Sequence, residues 1–196
     1  MAEPIFGLDQ EEIKQQLQVA MALHNQGELE QAEEIYREVL SVDENNFYTL
    51  RFLGCLYRLK KKYSEGVELL RRAVELNPVD PDCLYNFGNI LAASGRHGDA
   101  IKVLTKAVEL RADFAQARAN LGWCFFEVGE LKKSEELLLE AVALNPGMSQ
   151  VWFILGNTLK EQEKYSEAIA SYRKAIEVRP DFADAYLNLG IILKEE

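Results

Sequence analysis

The chain predicts an all-α solenoid: five full helical hairpins followed by one extra helix, eleven helices in all. Three observations lead there. Glycines stand at Gly54, Gly88, Gly122, Gly156 and Gly190, each 34 residues after the one before, and Ala20 holds the same slot one step earlier. Small residues recur at that step in a second series, Ala32, Gly66, Ala100, Ser134 and Ala168. A third series runs Ala73, Ala107, Ala141 and Ala175, with Val39 in the first repeat. Within a period, apolar residues return every three or four positions, as in Leu84, Phe87 and Leu91 and again in Ile101, Leu104 and Val108, the spacing of one helix face.

Residues 1–12 read as a lead-in, and a single array fills 13–196. The first repeat, 13–46, turns at Gly27. The second, 47–80, carries Lys61 in the turn slot and closes near Pro78. The third, 81–114, opens on Asp80-Pro81, an acceptor side chain for the first turn followed by a residue whose missing N–H costs nothing there, and turns at Gly95. The fourth, 115–148, turns at Gly129 and closes near Pro146. The fifth, 149–182, places Glu163 in the turn slot and closes near Pro180. A half repeat, 183–196, supplies the eleventh helix, whose Tyr186, Leu189 and Leu193 call for a partner. The favoured expectation there is a longer parent protein; the rival is self-association through this open C-terminal end. The small residues have a packing reason: where two helices cross closely, one glycine or alanine must face the ridge of the other. Trp152 and Leu155 then fill the space against Tyr172.

Composition narrows the function. A chain 48% hydrophobic and 28% charged folds, and none of its apolar runs approaches the roughly 18–20 residues needed to span a bilayer. The start, MAEPIFGLDQEEIK, lacks the basic and apolar regions of a secretory signal. Cys55, Cys83 and Cys124 form no CxxC pair and are odd in number, so they read as reduced thiols in a cytoplasmic protein. A net charge of −10 disfavours nucleic acid, whose affinity rests on cations neutralising phosphates. The basic stretch RLKKK at 58–62 reads as a solvated turn. Phosphate-loop, dinucleotide, nucleophile-elbow and zinc-protease motifs are all missing, and the sequence implies no cofactor, no metal and no catalysis. The two histidines, His24 and His97, read as surface residues.

The recurring order of a large residue, Leu-Gly, an aromatic or leucine, then Ala, Tyr or Leu, Ala and Pro resembles the tetratricopeptide repeat (TPR) over 13–196. Within that family the wording EAIASYRKAIEVRPDFADAYLNLG at 167–190 is most similar to the superhelix of O-GlcNAc transferase. The resemblance implies a right-handed solenoid, with a radius of gyration clearly above the about 16 Å of a compact chain of this length. It also implies that the first helix of each pair lines an inner groove and that the second, fifth, sixth, ninth, twelfth and thirteenth residues of each repeat face inward.

Those slots hold as many acidic as basic residues, so the groove is near neutral, and they carry rings beside amides. The candidate peptide-binding residues are Tyr48, Arg51, Phe52, Tyr85, Asn86, Asn89, Asn120, Trp123, Phe126, Phe153, Asn157 and Asn188. Rings bury the apolar side chains of an extended peptide, while amides give and accept hydrogen bonds along its backbone. Asn86, Asn120 and Asn188 fall on the asparagine ladder of the transferase, which Gln18, Phe52 and Ile154 interrupt. A chaperone-type carboxylate clamp would use Arg51, Cys55, Asn86, Gln116 and Asn120, and lacks the paired cations it needs. The expected function is a non-catalytic scaffold that binds a protein or peptide partner, either an extended peptide or a partner helix, and neither nucleic acid nor membrane. The alternative is the substrate-recruiting arm of a larger glycosyltransferase-like enzyme.

Overall fold

The computed structural model describes residues 9–195, so most of the expected lead-in lies outside the described residues. Among them are eleven α-helices and no strand: α1 Gln10–Gln26, α2 Leu29–Val42, α3 Phe47–Leu59, α4 Tyr63–Leu76, α5 Pro81–Ala93, α6 His97–Leu110, α7 Ala115–Glu127, α8 Leu131–Leu144, α9 Ser149–Glu161, α10 Tyr165–Val178 and α11 Ala183–Glu195. Helix α1 starts ahead of residue 13 because Asp9 and Glu12 close a reciprocal cap. The Asp9 carboxylate accepts from the Glu11 and Glu12 amides, and Glu12 accepts from the Asp9 amide. Asp80 caps α5 as its sequence predicts, accepting from the Cys83 amide at 2.6 Å with Pro81 at the first helical position.

The chain forms two compact units, the first through Gly95 and the second from Arg96. In the first, α1 packs on α2, α2 on α3, α3 on α4 and α4 on α5, and neighbouring first helices also touch, α1 with α3 and α3 with α5. One core joins Leu17 and Ala20 of α1, Tyr36 of α2 and Leu53 and Leu56 of α3; another joins Leu50, Leu70, Cys83 and Ile90. Each of these buried leucines is worth about 1.5–3 kcal/mol of transfer free energy. In the second unit contacts run α6–α7, α7–α8, α8–α9, α9–α10 and α10–α11, with α7 against α9. Its main core gathers Leu138 and Ala141 of α8, Leu155 and Leu159 of α9 and Tyr172 of α10.

Three of the slot glycines sit at close crossings. A Cβ on Gly54 would lie 2.5 Å from the Leu70 side chain, one on Gly122 2.9 Å from Leu138 and one on Gly156 2.5 Å from the Tyr172 ring. The turn slot demands a left-handed backbone in every described hairpin. Gly27, Gly95 and Gly129 adopt φ of 79–86°, and Lys61 and Glu163 adopt 57° and 60° in the same place. Behind Gly27, Lys61, Gly129 and Glu163 comes the same pair of bonds. The Lys61 amide reaches the Arg58 carbonyl and the Lys62 amide the Tyr57 carbonyl, as Glu163 and Lys164 do with Lys160 and Leu159.

Two expectations are corrected here. The basic stretch at 58–62 is not a free solvated turn. Lys60 Nζ lies 2.7 Å from Glu33 and 3.0 Å from Glu30, and Lys62 approaches Glu33 at 3.7 Å. Glu33 is 8% exposed and also accepts from Tyr57 Oη at 3.0 Å, so cations from the next turn answer a buried carboxylate. The histidines are not plain surface residues either. His24 is half-buried with its ring edge-on to Tyr36, and burial together with the Arg58 charge lowers its pKa. His97 is half-buried, and its Nδ1 is buried without a hydrogen-bond partner.

Candidate functional site

Two candidate surfaces are described, one per unit, each built on first helices. In the first unit α3 supplies Tyr48, Arg51 and Phe52. Asn46 starts this helix by accepting from the Thr49 amide at 3.1 Å, which fixes where the first turn points. Tyr48 is 56% exposed, with its ring edge-on to Phe47. Arg51 lies among three rings, its guanidinium carbon 5.6 Å from the Phe47 centroid, 5.7 Å from Tyr48 and 4.9 Å from Phe52. It also meets Asp80 at 3.4 Å, while its Nε is buried and unpaired. Phe52 stacks on Tyr36, centroids 6.3 Å apart, and so belongs partly to the core.

Between α1 and α3 lies a cleft of about 490 Å³. Ile13, Leu17 and Met21 form one wall and Tyr48, Arg51 and Phe52 the other, with Lys14 and Gln18 at the edge. The α1 wall was not among the expected site residues, although Lys14, Leu17, Gln18 and Met21 fall in inward slots of the first repeat and signal it. Tyr85, Asn86 and Asn89 are all half-buried on α5.

In the second unit Asn120, Trp123 and Phe126 stand on α7, all half-buried. The Trp123 ring meets His97 edge-on with centroids 5.3 Å apart. On α9 and α11 the amides find each other: Asn188 Nδ2 donates to Asn157 Oδ1 at 2.8 Å, and the same oxygen accepts from Tyr172 Oη at 2.7 Å. Phe153 is taken up by packing, its ring 5.9 Å from Tyr172 and 5.0 Å from Phe182. The structure thus brings together Tyr48, Arg51 and Phe52 on one surface and Asn157 with Asn188 on the other, and packs the half-buried Phe153 against Tyr172 and Phe182.

A feature that sequence reading missed is a pair of matching staples. Glu33 on α2 meets Lys60 and Lys62, and one hundred and two residues on, three periods later, Glu135 on α8 meets Gln162 at 2.8 Å and Lys164 at 2.6 Å. Burial raises the pKa of both carboxyls. The hydrogen bonds and charges of their partners outweigh it, from Lys60, Tyr57 and Lys62 in one case and Lys164 and Gln162 in the other, and hold both below the ordinary carboxylate range. The signal was the shared slot, which Val67, Ile101 and Ile169 fill in the other repeats.

Burial pushes the thiols up, Cys55 to about 11 and Cys83 and Cys124 to about 12, so none is a poised nucleophile at neutral pH. Among the described residues no group of three or more His, Cys, Asp or Glu could hold a metal ion, and no helix is long and apolar enough to cross a membrane.

Such stacked hairpins, with rings and amides on their first helices, define a helical-repeat interaction protein. A tetratricopeptide-repeat family model matches residues 85–149, a TPR repeat model 156–195, and the model of anaphase-promoting complex, cyclosome, subunit 3 residues 25–107. The chain therefore carries tetratricopeptide repeats, on the fold of a TPR protein-interaction scaffold. It is 33% identical over 79 residues to the photosystem I assembly protein Ycf3 of Synechococcus sp. (strain CC9605), 39% of this chain and 46% of that protein. Ycf3 of Prochlorococcus marinus subsp. pastoris (strain CCMP1986 / NIES-2087 / MED4) is 32% identical over 79 residues, again 39% of this chain and 46% of that protein. The chain spans about half the length of the curated relatives it matches. Among solved structures, YrrB, described as a TPR protein with an unusual peptide-binding site, is 25% identical, with a TM-score of 0.73 over 87% of this chain and 88% of that one. PilF of Pseudomonas aeruginosa is 19% identical, with a TM-score of 0.83 over 93% and 83%, a likeness of fold alone.

Proposed function

We propose that the chain is a non-catalytic scaffold that holds an extended peptide or partner helix against the first-helix face of its units. The observation that carries this reading is the α1–α3 cleft, where the exposed Tyr48 and the ring-flanked Arg51 stand over an apolar wall. A ring free on one side, a cation flanked by rings and nearby amides suit a peptide that brings both apolar side chains and backbone carbonyls. The half-buried Asn120 and Trp123 offer the second unit's counterpart. Likeness to assembly proteins favours a partner that is itself a subunit of a larger complex, and three free thiols fit a reducing compartment.

The test is selection of a peptide from a random displayed library on the intact chain, followed by titration of variants. Tyr48→Ala and the double variant Asn120→Ala with Trp123→Ala are expected to weaken the selected peptide at least tenfold, about 1.4 kcal/mol, with helicity unchanged. Full affinity in both variants would contradict the assignment.

A further inference from the structure

Gly190 holds the slot of Gly54, Gly122 and Gly156, yet a Cβ there would meet nothing within 4 Å, whereas at the other three it would strike a neighbouring side chain. Around it one half of α11 is bare: Tyr186 is 52% exposed, Leu187 64%, Ile191 44% and Leu193 49%. The opposite side, Ala185 and Ile192, is buried. A free apolar face alone does not say what covers it. Here the order of residues along the face does.

Asp184, Leu187, Ile191 and Lys194 follow one another at steps of three, four and three, all exposed and all on one side of the helix. Read backwards, the steps are the same. A second α11 laid antiparallel about a dyad at position 189 therefore sets Leu187 against Ile191 of the partner subunit. It also sets Asp184 against Lys194 of the partner subunit, and symmetry forms each contact twice. A parallel pairing would instead set carboxylate beside carboxylate and ammonium beside ammonium.

We propose that α11 is a self-pairing surface through which two copies of this chain associate as an antiparallel helix pair. Leu187 and Ile191 occupy inward slots of the sixth repeat, so the seam shares the first-helix face with the proposed peptide surface, but the pairing rests on the residue order of α11 alone. A seam one helix long, about 20 Å at 1.5 Å per residue, falls at the small end of specific interfaces, so the dimer is weak and forms with rising concentration.

Sedimentation equilibrium over a wide concentration range tests it. The mass is expected to climb from the 22.3 kDa monomer toward twice that value and stop. Leu187→Glu, at a position already open to solvent, is expected to leave circular dichroism unchanged and the chain monomeric. Asp184→Lys sets ammonium groups against each other twice and is expected to weaken association at least tenfold. Adding Lys194→Asp restores opposite charges and is expected to recover it, which no other register predicts. A monomer at every concentration leaves the face to a helix of another protein and overturns the proposal. Growth past the dimer, association untouched by Leu187→Glu, or a charge swap without recovery each overturns it as well.

Discussion

Residue by residue, the glycine slot separates positions that the sequence makes equivalent. Gly156→Ala forces a methyl against the Tyr172 ring, buried between α9 and α10, and is expected to cost about 1–3 kcal/mol in denaturant unfolding. Gly190→Ala meets open space and removes the entropic cost of a helical glycine. It is expected to stabilise by up to about 1 kcal/mol when measured at concentrations that keep the chain monomeric. Equal effects at both sites would mean that the crossing at Gly156 is looser than described. Glu33 makes a pH prediction. Its folded pKa lies below the ordinary 4.5, so the stability it contributes is fully present above pH 4.5 and is lost as pH falls through the folded value. Glu33→Gln is therefore expected to cost about 1–3 kcal/mol at neutral pH and progressively less in acid, read from urea midpoints at a series of pH values.

At the level of elements, the turn slot was legible where glycine filled it and ambiguous where it did not. Lys61 and Glu163 take the left-handed conformation because the surrounding bonds, a three-residue and a five-residue return to the preceding helix, leave no other closure. Side chains with a Cβ are strained there, so Lys61→Gly and Glu163→Gly are each expected to raise stability by about 1 kcal/mol. Unchanged or lowered melting temperatures in both would argue that neighbouring contacts have already relieved the strain. The staples at Glu33 and Glu135 escaped sequence reading for a physical reason. A glutamate in an apolar slot is ambiguous until the next repeat's turn is seen to bring cations to it, and that turn lies 27 residues away for Lys60. Asp80-Pro81 could be read directly because cap, proline and first turn are adjacent in the chain.

For the molecule as a whole, helix number and hairpin spacing followed from the 34-residue recurrence, since packing of one hairpin on the next tolerates only small residues at fixed points. The candidate surfaces were only partly legible. Slot counting put Tyr48, Arg51 and Phe52 on one helix face, and they do share a surface. It could not foresee that Phe153 would be drawn between Tyr172 and Phe182, because the size of the opposing side chains decides whether a ring leans into solvent or core. Nor could it foresee that Asn157 and Asn188 would bond each other across neighbouring first helices.

The most direct measurement is a backbone resonance titration of the isotope-labelled chain with the library-selected peptide. The largest shifts are expected on α1 and α3 around Met21, Tyr48 and Arg51, or on α7 around Asn120 and Trp123. Shifts confined to second helices, around the exposed Leu76, Leu110 and Leu144, would contradict binding on the first-helix faces.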